Sequence, residues 1–197
     1  MNIRKALPLS ALLLGLLCPA LSAQSISYYL EFPTDTVQGS VTAADYEGQV
    51  EVTTFNFGGN LPVDIGAAAS GSPIGKVALE PIYLLIQTDS KALPGLFQNM
   101  LRGTHIPEVI LRGVRDNDSS NTTSNLEVFL ELKLLLVYVS EIQLEGVEGD
   151  RGVFNVVLEW GAMDLKTFST NPQTGEPVAN PSAIWSRVKN AAEYAVE

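Results

Sequence analysis

The chain has 197 residues, 46% of them hydrophobic and 17% charged, so it can bury one domain-sized core and does not read as a disordered acidic segment. Its formal net charge is −10, or −12 once Arg4 and Lys5 are set aside. That balance argues against a nucleic-acid or anionic membrane partner and suits an exported, soluble protein.

The chain opens with a short basic stretch, Met1 to Lys5, and an apolar run from Ala6 to Leu17. Small residues follow at Ala20, Ser22 and Ala23. This is the pattern of a secretory signal peptide, expected over residues 1–23, and it leaves one domain at 24–197. The run is too short for stable membrane insertion. The single cysteine, Cys18, lies within that leader. The mature chain is therefore expected to hold no disulfide, thiolate nucleophile or cysteine-bound metal. The destination is the periplasm or the outside of a bacterial cell.

The rest reads as mostly β. Ser27 to Phe32 is a first strand with Ile26, Tyr28 and Leu30 on one face. Val50 to Phe57 alternates Val50, Val52 and Thr54 against Glu51, Thr53 and Phe55. Gly58 to Gly75 is a small-residue loop, and Lys76 to Gln87 returns to strand with Pro81 at an edge or bulge.

From Asp89 to Leu101 the period lengthens. Leu93, Leu96, Phe97, Met100 and Leu101 form a helical stripe, capped at Asp89 or Ser90 and stopped at Gly103. Val109 to Arg115 is a strand and Asp116 to Ser124 a polar loop. Leu126 to Leu144 is a long apolar strand. Leu126, Val128, Leu130, Leu132 and Leu134 share a face, and a bend or bulge is expected after Leu134, where the alternation stops. Val153 to Phe168 puts Phe154, Val156, Leu158, Trp160 and Ala162 on one face, and Asn171 to Gly175 is a hairpin-type turn. Ile184 to Val196 fits a terminal strand or a helix. Six or more strands with one helix predict a small β-barrel or a sandwich.

The order of these elements resembles the haemolysin-coregulated protein (Hcp) family of type VI secretion. The resemblance rests on Ser27-Tyr28-Tyr29-Leu30-Glu31-Phe32 running to Gln38-Gly39-Ser40, and on Glu51-Val52-Thr53-Thr54-Phe55-Asn56-Phe57-Gly58. It is strongest in Asp89-Ser90-Lys91-Ala92-Leu93-Pro94-Gly95-Leu96-Phe97 and in Gly103-Thr104-His105 leading to Glu108-Val109-Ile110-Leu111. It implies a mainly β fold, a small Hcp-like β-barrel with one flanking α-helix. It also implies a homo-hexameric ring, stacking into a tube that carries small effector or cargo proteins, with no catalysis and no cofactor. Typical members lack a cleavable leader, whereas this chain carries its own export signal. On this reading Gly58, Gly59, Gly66, Gly71 and Gly75 belong to a ring-contact loop, and Glu51, Thr53 and Phe55 face a neighbouring subunit.

Motifs for chemistry are sparse. His105 is the only histidine, no nucleophile elbow accompanies it, and it is expected to bond the carbonyls at the helix end. Asp116 to Asn121, with Glu127, alternates oxygen ligands as a calcium loop does but lacks the glycine such a loop needs. Glu145, Glu148 and Asp150 form an acidic hairpin tip without the burial that a catalytic carboxylate pair needs, so a solvated loop is expected. The alternative function is a secreted monomeric β-sandwich that binds a glycan or small ligand in a cleft lined by Tyr or Trp. A catalytic site near His105 is the third reading.

Overall fold

The computed structural model describes residues 25–33, 37–63, 77–88, 90–116, 126–146, 148–149 and 151–197. The expected signal peptide lies outside them.

Twelve strands and one helix follow one another along the described residues. The strands are β1 (Ile26–Glu31), β2 (Val50–Val52), β3 (Thr54–Asn56), β4 (Gly59–Asn60), β5 (Ala78–Leu79) and β6 (Ile82–Gln87). Helix α1 (Ala92–Arg102) leads to β7 (Ile106–Asp116), β8 (Leu126–Glu145), β9 (Val153–Glu159) and β10 (Ala162–Thr170). The short strands β11 (Pro177–Ala179) and β12 (Ala183–Ser186) end the order.

The main sheet runs β2-β1-β7-β8-β9-β6-β3, with β10 on β8 and β11 and β12 on β10. β2 and β3 stand at opposite ends of this path, yet only Thr53 separates them in the chain. No ladder joins the two. The circuit is completed by the chain itself, and the Thr53 N–H donates to the Leu85 carbonyl at 2.8 Å. The result is the mainly β, barrel-like fold with one helix that the sequence predicts. Its interior is lined by alternate residues, among them Leu30, Val52, Ile82, Leu84, Val109, Leu111, Leu132, Phe154, Val156 and Leu158. A smaller cluster of Tyr29, Tyr46 and Val114 packs against Val41, Leu126 and Val128.

Several expected strands are interrupted. Val50 to Phe57 divides at Thr53, so its second half leaves β1 and pairs with β6. Lys76 to Gln87 divides at Pro81, which has no N–H to donate. Within the expected loop from Gly58, Gly59 and Asn60 instead pair with Leu79 and Ala78.

β8 bends twice. The register slips between Gly113 and Val114, opposite Phe129. Phe129 presses on Gly113, where a Cβ would come within 2.7 Å of its ring. The expected single face from Leu126 to Leu134 is therefore split: Leu126 and Val128 join the small cluster while Leu132 and Leu134 enter the main core. The bend expected after Leu134 is present at Leu136, with φ +52°. Past it the buried positions change from Leu132 and Leu134 to Val137 and Val139. The opposite strand breaks at the same level, at Gly161, whose N–H donates to the Leu135 carbonyl at 2.8 Å.

Helix α1 begins at Ala92, not at Asp89, which lies outside the described residues. Ser90 Oγ accepts from the Ala92 N–H at 3.3 Å. Its stop is the expected one. Gly103 takes φ +61°, and the N–H groups of Gly103 and Thr104 close on the carbonyls of Met100 and Asn99. After β12 the chain runs through turns, so the open choice at the C-terminus resolves as a short strand without a helix.

Candidate functional site

The outer face of the β1-β7-β8-β10 region carries rows of opposite charge. Arg112 is paired with Glu31 and donates to Glu131 at 3.2 Å. Lys133 lies 3.5 Å from Glu131, and Lys166 lies 2.8 Å from Asp164. Burial opposes the charge of Arg112, but its bonds to Glu31 and Glu131 outweigh that and raise its pKa. The hydrogen bond to Asp164 likewise raises Lys166. Glu108 accepts from Tyr194 Oη at 3.0 Å, which fastens the C-terminal segment to the sheet. Burial and then this bond raise the phenol pKa, so Tyr194 stays a proton donor. Most of these groups satisfy one another, as in a structural wall, although Asp164 Oδ1 is buried without a hydrogen-bond partner among the described residues.

The residues weighed for catalysis are scattered. His105 is exposed, and its ring lies 5.9 Å from that of Tyr138. It does not take the helix-end role expected of it, since backbone N–H groups already bond the carbonyls of Asn99 and Met100. Most of the calcium-like loop, and Asp150, lie outside the described residues. Glu127 is tied to Arg115 at 2.9 Å, and Glu145 accepts from Asn155 at 3.2 Å. Among the described residues no three His, Cys, Asp or Glu side chains group to hold a metal. No helix among them is long and apolar enough to cross a membrane.

The aromatic residues serve packing. Tyr28 meets Phe55 edge-on at 5.1 Å and Phe129 at 6.2 Å, and Phe57 lies 5.6 Å from Trp160. Trp160 Nε1 donates to the Glu80 carbonyl at 3.1 Å, and the Arg187 guanidinium sits 4.9 Å from its ring centre.

Of the positions expected to face a neighbour, Glu51 and Thr53 are exposed. They line a pocket of about 290 Å³ with Ser27, Tyr28, Ser40 and Gln87. Phe55 differs. The break at Thr53 turns it toward Tyr28, where it is half-buried against the core. Of the loop glycines, Gly58 and Gly59 are described, and Gly66, Gly71 and Gly75 lie outside the described residues.

Two surfaces escaped the sequence reading. On the outside of β6 and β9, a groove of about 430 Å³ is lined by Tyr83, Leu85, Asn155 and Val157, with Glu141 and Gln143 at one side. The outward alternate of the β6 strand, Tyr83 and Leu85, is its signal in the sequence. The second surface is the exposed side of α1, where Leu101 is 69% exposed.

Comparison with known proteins adds the family. A family model described as type VI secretion system effector, Hcp, matches residues 29–169. No curated protein matches by sequence. A solved type six secretion system protein superposes with a TM-score of 0.72 at 18% identity, covering 86% of this chain and 100% of its own. Hcp1 from Salmonella typhimurium gives 0.63 at 15% identity, with 86% and 99% covered. A type VI secretion system effector from Yersinia pestis gives 0.60 at 17% identity, with 81% and 98% covered. At these identities the likeness is one of fold.

Proposed function

Since this chain belongs to the Hcp family of type VI secretion tube proteins, we propose that it acts by self-assembly, as one of six subunits in a ring that stacks with further rings. The observation that carries this reading is the family match over residues 29–169, which runs from within β1 to within β10. The half-buried ion pairs and the aromatic packing support a wall more than a reaction centre. The chain performs no catalysis and needs no cofactor. Its leader at residues 1–23 delivers it to the periplasm or beyond the cell, and small effector or cargo proteins occupy the lumen. The loop from Gly58 to Gly75 reaches the next ring, and Glu51 and Thr53 face a neighbouring subunit.

The test is the mass of the leader-free protein in solution, measured across concentration, together with electron micrographs of the same sample. A hexamer mass and six-membered rings are expected. A strict monomer at high concentration overturns the proposal.

A further inference from the structure

We infer that neighbouring copies meet through two specific patches: the exposed side of α1 on one copy, and the β6-β9 groove on the next. This deepens the ring reading and rests on it.

A ring of identical subunits is built head to tail, so each copy must present two different surfaces that fit each other. A chain of net charge −10 repels its own copies unless the contact is locally complementary. The distribution of cations singles out one place where it is. Arg112, Arg115, Lys133, Lys166, Arg187 and Lys189 are each held by a carboxylate of the same chain. Arg151 is engaged as well. Among the described residues this leaves Lys91 and Arg102 without an ion-pair partner. They bracket α1, as its N-cap and its last residue, about three turns apart and so on one side of the helix. The helix between them has no acidic residue.

Apolar surface lies beside those cations. Leu101 is the most exposed of the exposed large hydrophobics, and Phe97, one turn earlier, is half-buried. The groove supplies the complement. Tyr83, itself 45% exposed, Leu85 and Val157 give it an apolar floor, and Glu141 is its one charged lining residue. No residue of α1 lines it, so the two patches are separate surfaces of one molecule. Docking seats Leu101 and Phe97 in the groove and brings the Arg102 guanidinium to Glu141, where a charge-assisted pair fixes the register.

The experiment uses the leader-free chain, which has no cysteine because Cys18 lies in the leader. Leu101→Cys combined with Leu85→Cys is expected, on mild oxidation, to give a ladder of covalent oligomers ending at six. Each single variant is expected to give none. Arg102→Glu and Glu141→Arg are each expected to weaken assembly at least tenfold, and the double reversal to restore it. Both positions are exposed, and unchanged thermal unfolding of each variant shows that the fold is kept. If the unaltered protein forms rings while neither reversal weakens them and no ladder appears, the contact lies elsewhere and the ring reading survives. Covalent dimers from a single variant overturn the head-to-tail assignment. An unaltered protein that stays monomeric overturns both.

Discussion

Glu127 is only 8% exposed, and its charge is held there because Arg115 grips both carboxylate oxygens, at 2.9 and 3.1 Å. Thr170 Oγ1 also donates to it at 3.0 Å. The Arg115 bond outweighs burial and holds the carboxyl below its ordinary value of 4.5. A depressed carboxyl pKa stabilises the fold above the unfolded value, and that contribution is lost as pH falls through the folded one. Glu127→Gln is therefore expected to cost about 1–3 kcal/mol at pH 7. The difference from the unaltered protein should shrink as pH drops below 4.5. Thermal unfolding of both proteins across that range checks the sign. Glycines divide by the same local accounting. A Cβ on Gly39 would meet the Gln49 carbonyl oxygen at 1.8 Å, whereas one on Gly58 meets nothing within 4 Å. Gly39→Ala should cost more than about 2 kcal/mol, and Gly58→Ala should stay within about 0.5 kcal/mol, as read by denaturant unfolding.

At the scale of elements, α1 shows what periodicity resolves. The stripe places Leu96 inward correctly, but the buried face centres on Ala92, Leu96 and Asn99. Leu101 is turned out to solvent. Leu96→Ala should destabilise the subunit by about 2–5 kcal/mol, and Leu101→Ala should leave subunit unfolding unchanged while weakening assembly. A calorimetric scan paired with a mass measurement separates the two effects. The same limit explains the strands. Alternation revealed β1 and β6, which pair on both edges in one register, and β9, whose own residues run unbroken because the bulge in its ladder with β8 falls on β8. It could not show that Val50 to Phe57 serves two partners, since nothing in an alternating segment marks where its neighbour changes. The bend at Leu136 was legible because burial on both faces erases the polar positions. The slip at Phe129 was not, because it arises from the missing side chain of Gly113 on another strand. The groove on β6 and β9 was only partly legible, through the outward alternate Tyr83 and Leu85 on β6. Tyr83, Val157 and Glu141 adjoin only after three strands have paired.

For the molecule as a whole, Thr53 is where the two ends of a sheet that no ladder closes into a barrel are held together. The path of pairings starts at β2 and ends at β3, and the backbone at this residue joins the two ends. Its N–H is committed to Leu85, but its side chain is exposed. Backbone and side chain can therefore be tested apart. Thr53→Pro removes the donor, orphans the Leu85 carbonyl and fixes φ at the junction, a loss of at least about 1–3 kcal/mol in subunit stability. Faster amide exchange in both β3 and β2 should accompany it, because each strand has lost its anchor to the other half of the sheet. Thr53→Ala keeps the N–H and should unfold at the temperature of the unaltered protein. If that variant also forms rings as readily, position 53 serves the junction alone. If its rings weaken while the subunit stays as stable, the same residue both joins the two ends of the sheet through its backbone and meets the next copy through its side chain.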